Sequence, residues 1–200
     1  MSIVVEHDKR RKEILEKALN VFVDEGFEDA TFQKIADRCG ITRTTLYIYF
    51  KNKKEIFNFS IKQFLAGVEN DLNQVQKNTK LACTEKLKKV LRLIIDRLEE
   101  NQRLLSVALG YLSFLSKSDA NPENRVRRRT IRMRHFLSTM IIEGINAGEI
   151  KPINVQAADD LLYGLIEAAI LRIVVYGRGS VPEIKQAIDL AIQELGVNPK

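Results

Sequence analysis

Apolar residues recur at spacings of three and four along almost the whole chain, and no stretch sustains an apolar–polar alternation. Such a pattern lines hydrophobic side chains along one stripe of a helix and gives a half-buried strand nothing to build on. Punctuation is sparse as well: the 200 residues include four prolines and ten glycines. The chain is therefore predicted to be all-α, with about nine helices and enough length for one good core or two small ones.

Ile14, Leu15, Ala18, Val21 and Phe22 share one helical face and place a first helix over residues 8–25. Gly26 is the expected C-terminal stop, because glycine tolerates the left-handed backbone there, and Phe27 can fold back onto the last turn. Thr31 is a natural N-cap for a short helix ending near Cys39, and Thr42 for a second running from Arg43 to about Tyr49. Asn52, with Glu55 three residues on, has the form of a capping box opening a long helix that carries Phe57, Ile61, Phe64, Val68, Leu72 and Val75. Further helices are predicted over residues 84–101, 103–117, 122–147, 154–176 and 181–195, with Asn121-Pro122 opening the third of these.

Charge narrows the function classes. The formal net charge is +6, a mild basic excess that fits an anionic partner without requiring one. His7 and His135 are the only histidines, no HExxH or GxSxG occurs, and Gly177-Arg178-Gly179 lacks the third glycine and preceding strand of a phosphate-binding loop. No enzyme, cofactor or metal is expected. Cys39 and Cys83 stand far apart and read as reduced thiols. The polar N-terminus does not resemble a signal peptide, and the apolar run from Leu161 to Tyr176 is broken by Glu167 and Arg172. A cytoplasmic protein without a membrane partner is expected.

The segment Phe32 to Lys51 has what a helix-turn-helix needs. Ile35, Ile41, Leu46 and Tyr49 or Phe50 supply a small core, Ala36 is small where two helices cross, and Gly40 supplies the turn. A generic helical hairpin would share that much. Charge sorting adds to it: from Arg38 to Lys54 there are five basic residues and no acid, whereas residues 1–55 together hold eleven basic and ten acidic residues. Thr42, Thr44, Thr45, Tyr47 and Tyr49 offer hydroxyls suited to phosphates and base edges. Lys9 to Lys12 form a second basic group that is equally readable as a solvated face.

Residues Gly26 to Phe57 resemble the DNA-binding domain of TetR-family repressors. The shared features are Gly26-Phe27, Thr31, Ile35-Ala36, Gly40, Thr42, the run Leu46-Tyr47-Ile48-Tyr49-Phe50, Lys53, Glu55 and Ile56. Two positions depart from the family pattern: Thr44 stands where glycine is common, and Lys54 where an acidic residue is usual. The resemblance implies a three-helix DNA-binding domain over residues 1–51 and a helical effector-binding and dimerisation domain over 52–200. It implies a homodimeric repressor that binds a pseudo-palindromic double-stranded DNA operator and is released by a small-molecule effector. Carried over by position, Thr31 would contact phosphate. Thr42 opens the recognition helix, and Arg43, Thr44 and Thr45 would face base edges, Arg43 being best suited to guanine. Tyr47, Tyr49 and Lys53 would hold phosphates, Lys53 from a helix N-terminus that itself favours anions. Ile48 could pack on a thymine methyl or face the core.

For the second domain, the resemblance implies a four-helix dimer bundle built from the last two helices, with Leu161, Gly164, Leu165, Ala168 and Leu171 against Ile184, Ile188, Ala191 and Leu195. Some of these residues are expected to fill the protomer core instead. Candidate lining for an effector cavity is Phe64, Leu104, Val107, Tyr111, Phe114, Phe136, Met140 and Tyr163, all equally readable as plain core. Arg125, Arg127, Arg128, Arg129, Arg132 and Arg134 form the densest charge cluster. It reads as a solvated face or as the seat of an anionic effector; otherwise the effector is expected to be apolar.

Overall fold

The computed structural model describes residues 2–117 and 123–197, with the side chains of 2–5, 114, 116–117 and 123–126 left aside. The Asn121-Pro122 start and the side chains of Phe114 and Arg125 thus lie outside the described residues. Nine helices occur among those described: α1 Ser2–Asp29, α2 Phe32–Cys39, α3 Arg43–Tyr49, α4 Lys53–Gln76, α5 Cys83–Glu100, α6 Gln102–Lys117, α7 Glu123–Asn146, α8 Val155–Tyr176 and α9 Pro182–Leu195. No strand forms among the described residues; one isolated antiparallel bridge pairs Ile150 with Gly196. No helix among them is long and apolar enough to cross a membrane.

Most helix ends fall within two residues of where the sequence puts them, because side-chain caps set them. Thr31 Oγ1 accepts from Lys34 N at 3.1 Å, Thr42 Oγ1 from Thr45 N at 3.0 Å, and Asn52 Oδ1 from Glu55 N at 2.9 Å. The box at α4 is shifted by one residue: Glu55 reaches back to Lys51 N, at 2.6 Å, rather than to Asn52. The exception is α1, which starts six residues before the expected Asp8 and continues as a short turn past Gly26. Gly26 does interrupt it, at φ 78°, where a residue with a Cβ would be strained.

The chain divides into two compact units. The first comprises Met1–Gly67 and Arg103–Ala120, the second Val68–Gln102 and Asn121–Lys200. Part of α4 and most of α6 thus pack with the first three helices, past the break expected after residue 51. The reason is a shared core. Ile14, Leu15, Ala18, Val21 and Phe22 of α1 pack with Ile35 and Ala36 of α2, Leu46 of α3, Ile56 and Phe57 of α4, and Leu104, Val107 and Tyr111 of α6. At its centre the Phe27 ring lies 4.3 Å from Tyr111 and 5.3 Å from Phe57, and Phe57 lies 4.8 Å from Tyr111. Aromatic clusters of this kind combine large buried area with favourable edge and tilted contacts.

In the second unit α5 packs against α7, α8 and α9. Its stripe Leu87, Val90, Leu91, Ile94, Ile95 and Leu98 is buried, as are Leu137, Met140 and Ile141 of α7. Ala158, Leu162, Ile166, Ala169 and Ile173 of α8, and Ile184, Ile188 and Ile192 of α9, complete this core. Ions rim it. Asp189 takes a forked bond from Arg92 and a contact from Lys88 at 3.3 Å, and Lys185 lies 2.7 Å from Asp96. Helix α5 has no side-chain cap of its own; Glu149 caps it from across the unit, accepting from Cys83 N and from Thr84 N at 3.4 Å.

Candidate nucleic-acid interface

Helices α2 and α3 meet at a turn closed by Gly40, whose φ of 67° and ψ of 35° are left-handed and whose N–H reaches Ala36 O and Asp37 O. That turn fixes which way α3 faces. Leu46 and the C-cap Phe50 are buried, and Ile41 and Tyr49 pack against the core as partly buried side chains. Arg43, Thr44, Tyr47 and Ile48 face out, Tyr47 at 49% exposure and Ile48 at 69%. The exposure of Ile48 decides between its two readings: it is not a core residue.

The outward face is organised before any partner arrives. Phe32 of α2 packs its ring 4.7 Å from that of Tyr47. Arg43 lies over the other partner of that stack, 5.6 Å from the Tyr47 centroid, and its Nη2 donates to Tyr47 Oη at 3.1 Å. No carboxylate pairs with Arg43 among the described residues, whereas the basic side chains of α2 are spoken for: Arg38 donates to Asp24 and Lys34 to Glu25, both on α1. The turn therefore presents unpaired positive charge at α3 and neutralised charge behind it. Thr45 is half-buried, with its hydroxyl 2.8 Å from that of Thr42. It supports the cap, so of the three expected base-facing residues Arg43 and Thr44 remain fully outward. Thr31 is exposed at the start of α2, with its oxygen already accepting a backbone N–H.

Lys53 is placed differently from expectation. Its Nζ donates to the carbonyls of Phe27 at 2.8 Å, Glu28 at 2.7 Å and Ala30 at 2.7 Å, and sits 5.0 Å over the Phe27 ring. An ammonium has three donors, and all three are used. Burial lowers the pKa of this ammonium, against an upward pull from Asp29 and Glu28. The residue clamps the end of α1 to the start of α4.

Two further residues, not anticipated from the sequence, hold α3 from the other side. His7 stacks on Tyr49 with ring centroids 4.7 Å apart, and the Arg11 guanidinium lies 4.8 Å over Phe50 and 4.1 Å over Phe59. They stand four residues apart on the first turns of α1, His7 just before the expected start and Arg11 within it, the spacing that puts two side chains on one face. Tyr49 is thereby half-buried against α1 rather than freely outward. Of the remaining basic residues nearby, Arg10 pairs with Glu13 at 2.8 Å, while Lys9 and Lys12 are exposed.

Residues 14–58 match the sequence model described as bacterial regulatory proteins, tetR family. The chain is a TetR-family DNA-binding transcriptional regulator. It is 28% identical over 163 residues to the fatty acid metabolism regulator protein of Bacillus subtilis, covering 79% of this chain and 80% of that one. The transcriptional repressor KstR2 of Mycolicibacterium smegmatis is 26% identical over 78% of this chain and 74% of its own. Among solved structures, a TetR transcription regulator from Haloarcula marismortui superposes with a TM-score of 0.77 at 19% identity, covering 95% of this chain and 100% of that one. The ketosteroid regulator KstR2 of Mycobacterium tuberculosis gives 0.72 at 18%, covering 94% and 96%. These structures share the all-α fold.

The dimer residues expected on α9 of this TetR-family chain divide between the protomer core and the surface. Ile184 and Ile188 are buried in the second unit's own core, because steps of four turn them toward α5 and α8. Ala191 and Leu195 are partly exposed, and the large apolar side chain on the outer face of α9 is Leu190, at 62% exposure. On α8, Leu161, Leu171 and Val175 are exposed, and Gly164, Leu165 and Ala168 partly so.

The expected effector residues are likewise sorted. Leu104, Val107 and Tyr111 are buried in the first unit's core, with Phe64 partly buried against it. Met140 is buried in the second unit, where Phe136 is partly buried. Tyr163 bonds through its hydroxyl to Thr130 at 3.1 Å, with Arg134 5.7 Å over its ring. Arg134 in turn donates to the buried Asp159 at 2.7 Å and to Asp160. Arg127, Arg128, Arg129 and Arg132 are exposed. The open groove between α4 and α5, about 570 Å³, contains none of the expected residues and is lined largely by charge, with Arg97 tied to Asp71 at 2.8 Å.

Proposed function

We propose that this regulator is a repressor that binds a pseudo-palindromic operator as a homodimer in the cytoplasm and is released by a small-molecule effector. The observation that carries the DNA reading is the outward face of α3. Arg43, Thr44, Tyr47 and Ile48 stand exposed together on a short helix whose cap, turn and rear stacks fix its direction. A helix so presented enters a major groove, and a two-fold dimer sets two of them about one helical turn, roughly 34–36 Å, apart.

The outer surface of α8 supports the dimer. Ala157, Leu161, Gly164, Ala168, Leu171 and Val175 follow one another at alternating steps of four and three, the seam of a coiled coil, and the largest of them are exposed. Leu190 on α9 adds to the apolar surface. The effector is proposed to be apolar. Relatives named for fatty acid metabolism and for a ketosteroid regulator support that class, and the exposed arginines of α7 would suit an anionic group attached to it. Helix α4 runs without a break from the first unit into the second, which makes it the proposed link between effector and α3.

Selection of bound sequences from random duplex DNA tests the core of this reading. A palindrome is expected, with affinity falling roughly 10³–10⁵-fold between 50 and 200 mM salt if some 6–10 phosphates are contacted. Recovery of no sequence by a folded dimer would refute it.

A further inference from the structure

We propose that Arg43 and Ile48 each specify one base pair of every half-site: a guanine by Arg43 and a thymine by Ile48. The inference rests on the DNA-binding reading above and names what that face reads. Its starting point is a contrast. The outward face of α3 carries a planar cation and a purely aliphatic side chain five residues apart, and neither has a packing role to explain it.

Arg43 is exposed and unpaired with any carboxylate among the described residues, but it is not free to wander. Its guanidinium is held by the Tyr47 hydroxyl at 3.1 Å, and Tyr47 is held by the Phe32 ring at 4.7 Å. One N–H of the five is used, which leaves the others for a forked contact. In the major groove the O6 and N7 acceptors of guanine match that fork. A side chain positioned in advance loses less rotamer freedom on binding, so the discrimination falls to Arg43 with Tyr47 as its positioning residue.

Ile48 is the other half of the contrast. At 69% exposure it is among the most solvent-facing large apolar side chains of the chain, and it sits between polar neighbours. The core positions of α3 are already filled by Leu46 and Phe50. Among base edges in the major groove, the thymine C5 methyl is the apolar feature. Five residues of helix rise about 7.5 Å, enough for the two side chains to reach different base pairs of one half-site.

The test uses the full-length protein and the duplex that it selects. Two single-atom-scale changes in the DNA are made: 7-deazaguanine, which removes N7, and deoxyuridine in place of thymine, which removes the methyl. Deoxyuridine should weaken wild-type binding about fourfold per half-site. It should have no effect on Ile48→Ala. Arg43→Ala should cost roughly 5–150-fold per half-site and bind 7-deazaguanine and guanine duplexes equally. Tyr47→Phe should reduce the discrimination between guanine and 7-deazaguanine while leaving the cost of deoxyuridine as in the wild type. Circular dichroism checks that each variant is folded, and the modified duplexes report on the wild type even if one is not. If a site is selected but the base modifications cost the variants as much as the wild type, this assignment is wrong and the DNA-binding reading stands. If no site is selected, both fall.

Discussion

Lys53 and Arg43 carry the same charge and do opposite work. The Arg43 guanidinium faces solvent with one tyrosine to steady it, while the Lys53 ammonium is spent on three carbonyls around the Gly26 turn. Hydrogen bonds to a charged group contribute about 1.5–3 kcal/mol, so Lys53→Met should lower unfolding stability by roughly that much. It should leave the slope of log affinity against log salt unchanged. A lysine on a phosphate would instead take about 0.9 off that slope, and titrations at several salt concentrations separate the two. Position in the sequence singled out this lysine but did not reveal the carbonyls that it holds. Its carbonyls lie 23 to 26 residues away, and nothing local to Lys53 announces them. Thr31, Gly40 and Thr42 were legible because their partners lie within four residues. His7 and Arg11 were not, because the rings that they cover are reached only after α1, α3 and α4 have packed.

Helix α9 shows the same limit one level up. Its amphipathic pattern is plain in the sequence, but a stripe says only that something covers it, and the stripe of Ile184, Ile188 and Ile192 is covered from within the protomer. Ile188→Ala should therefore cost about 2–5 kcal/mol of stability, as deletion of a fully buried side chain does, while Leu190→Ala should change protomer stability by less than about 0.5 kcal/mol. Denaturant titration of both variants checks the order. The packing of α6 with the first unit is hidden in the sequence for a related reason: α6 looks like any amphipathic helix until Tyr111 is seen among Phe27 and Phe57. The ionic rim of α5 and α9 adds a pH dependence. Partial burial would raise the Asp189 pKa, but the bonds from Arg92 and Lys88 outweigh it and hold the carboxyl below its usual value. A depressed folded-state pKa means that the contribution is present above the unfolded value, about 3.9, and is lost as pH falls through the folded one. Wild type should be slightly more stable than Asp189→Asn at pH 7, by less than about 1 kcal/mol for so exposed a pair, and the gap should close in acid as the carboxyl is protonated. Thermal melts across that range would show the convergence, and high salt should shrink the gap at pH 7.

For the molecule as a whole, the outward face of α3 can read a palindrome only in duplicate. A single seven-residue helix offers few contacts, and a second copy on the same duplex binds at an effective concentration set by the dimer rather than by solution. Leu171 is the place to separate these contributions. It lies on α8, in the second unit, at 64% exposure, and so takes no part in the protomer core or in α3. Leu171→Arg should leave helix content and protomer stability unchanged, since surface substitutions rarely move stability by more than about 0.5 kcal/mol. It should place two like charges against each other across a two-fold seam and yield a monomer in sedimentation experiments. Affinity for the full palindrome should then fall by roughly 10²–10⁴. The remaining binding should have about half the wild-type salt slope, because one protomer releases half the counterions. A variant with weakened DNA contacts would stay dimeric and keep binding both half-sites, so the salt slope and the oligomeric state together tell the two apart. If Leu171→Arg stays dimeric and binds the palindrome as before, the α8 seam is not the surface on which two copies meet, and the apolar side chains exposed there need another occupant.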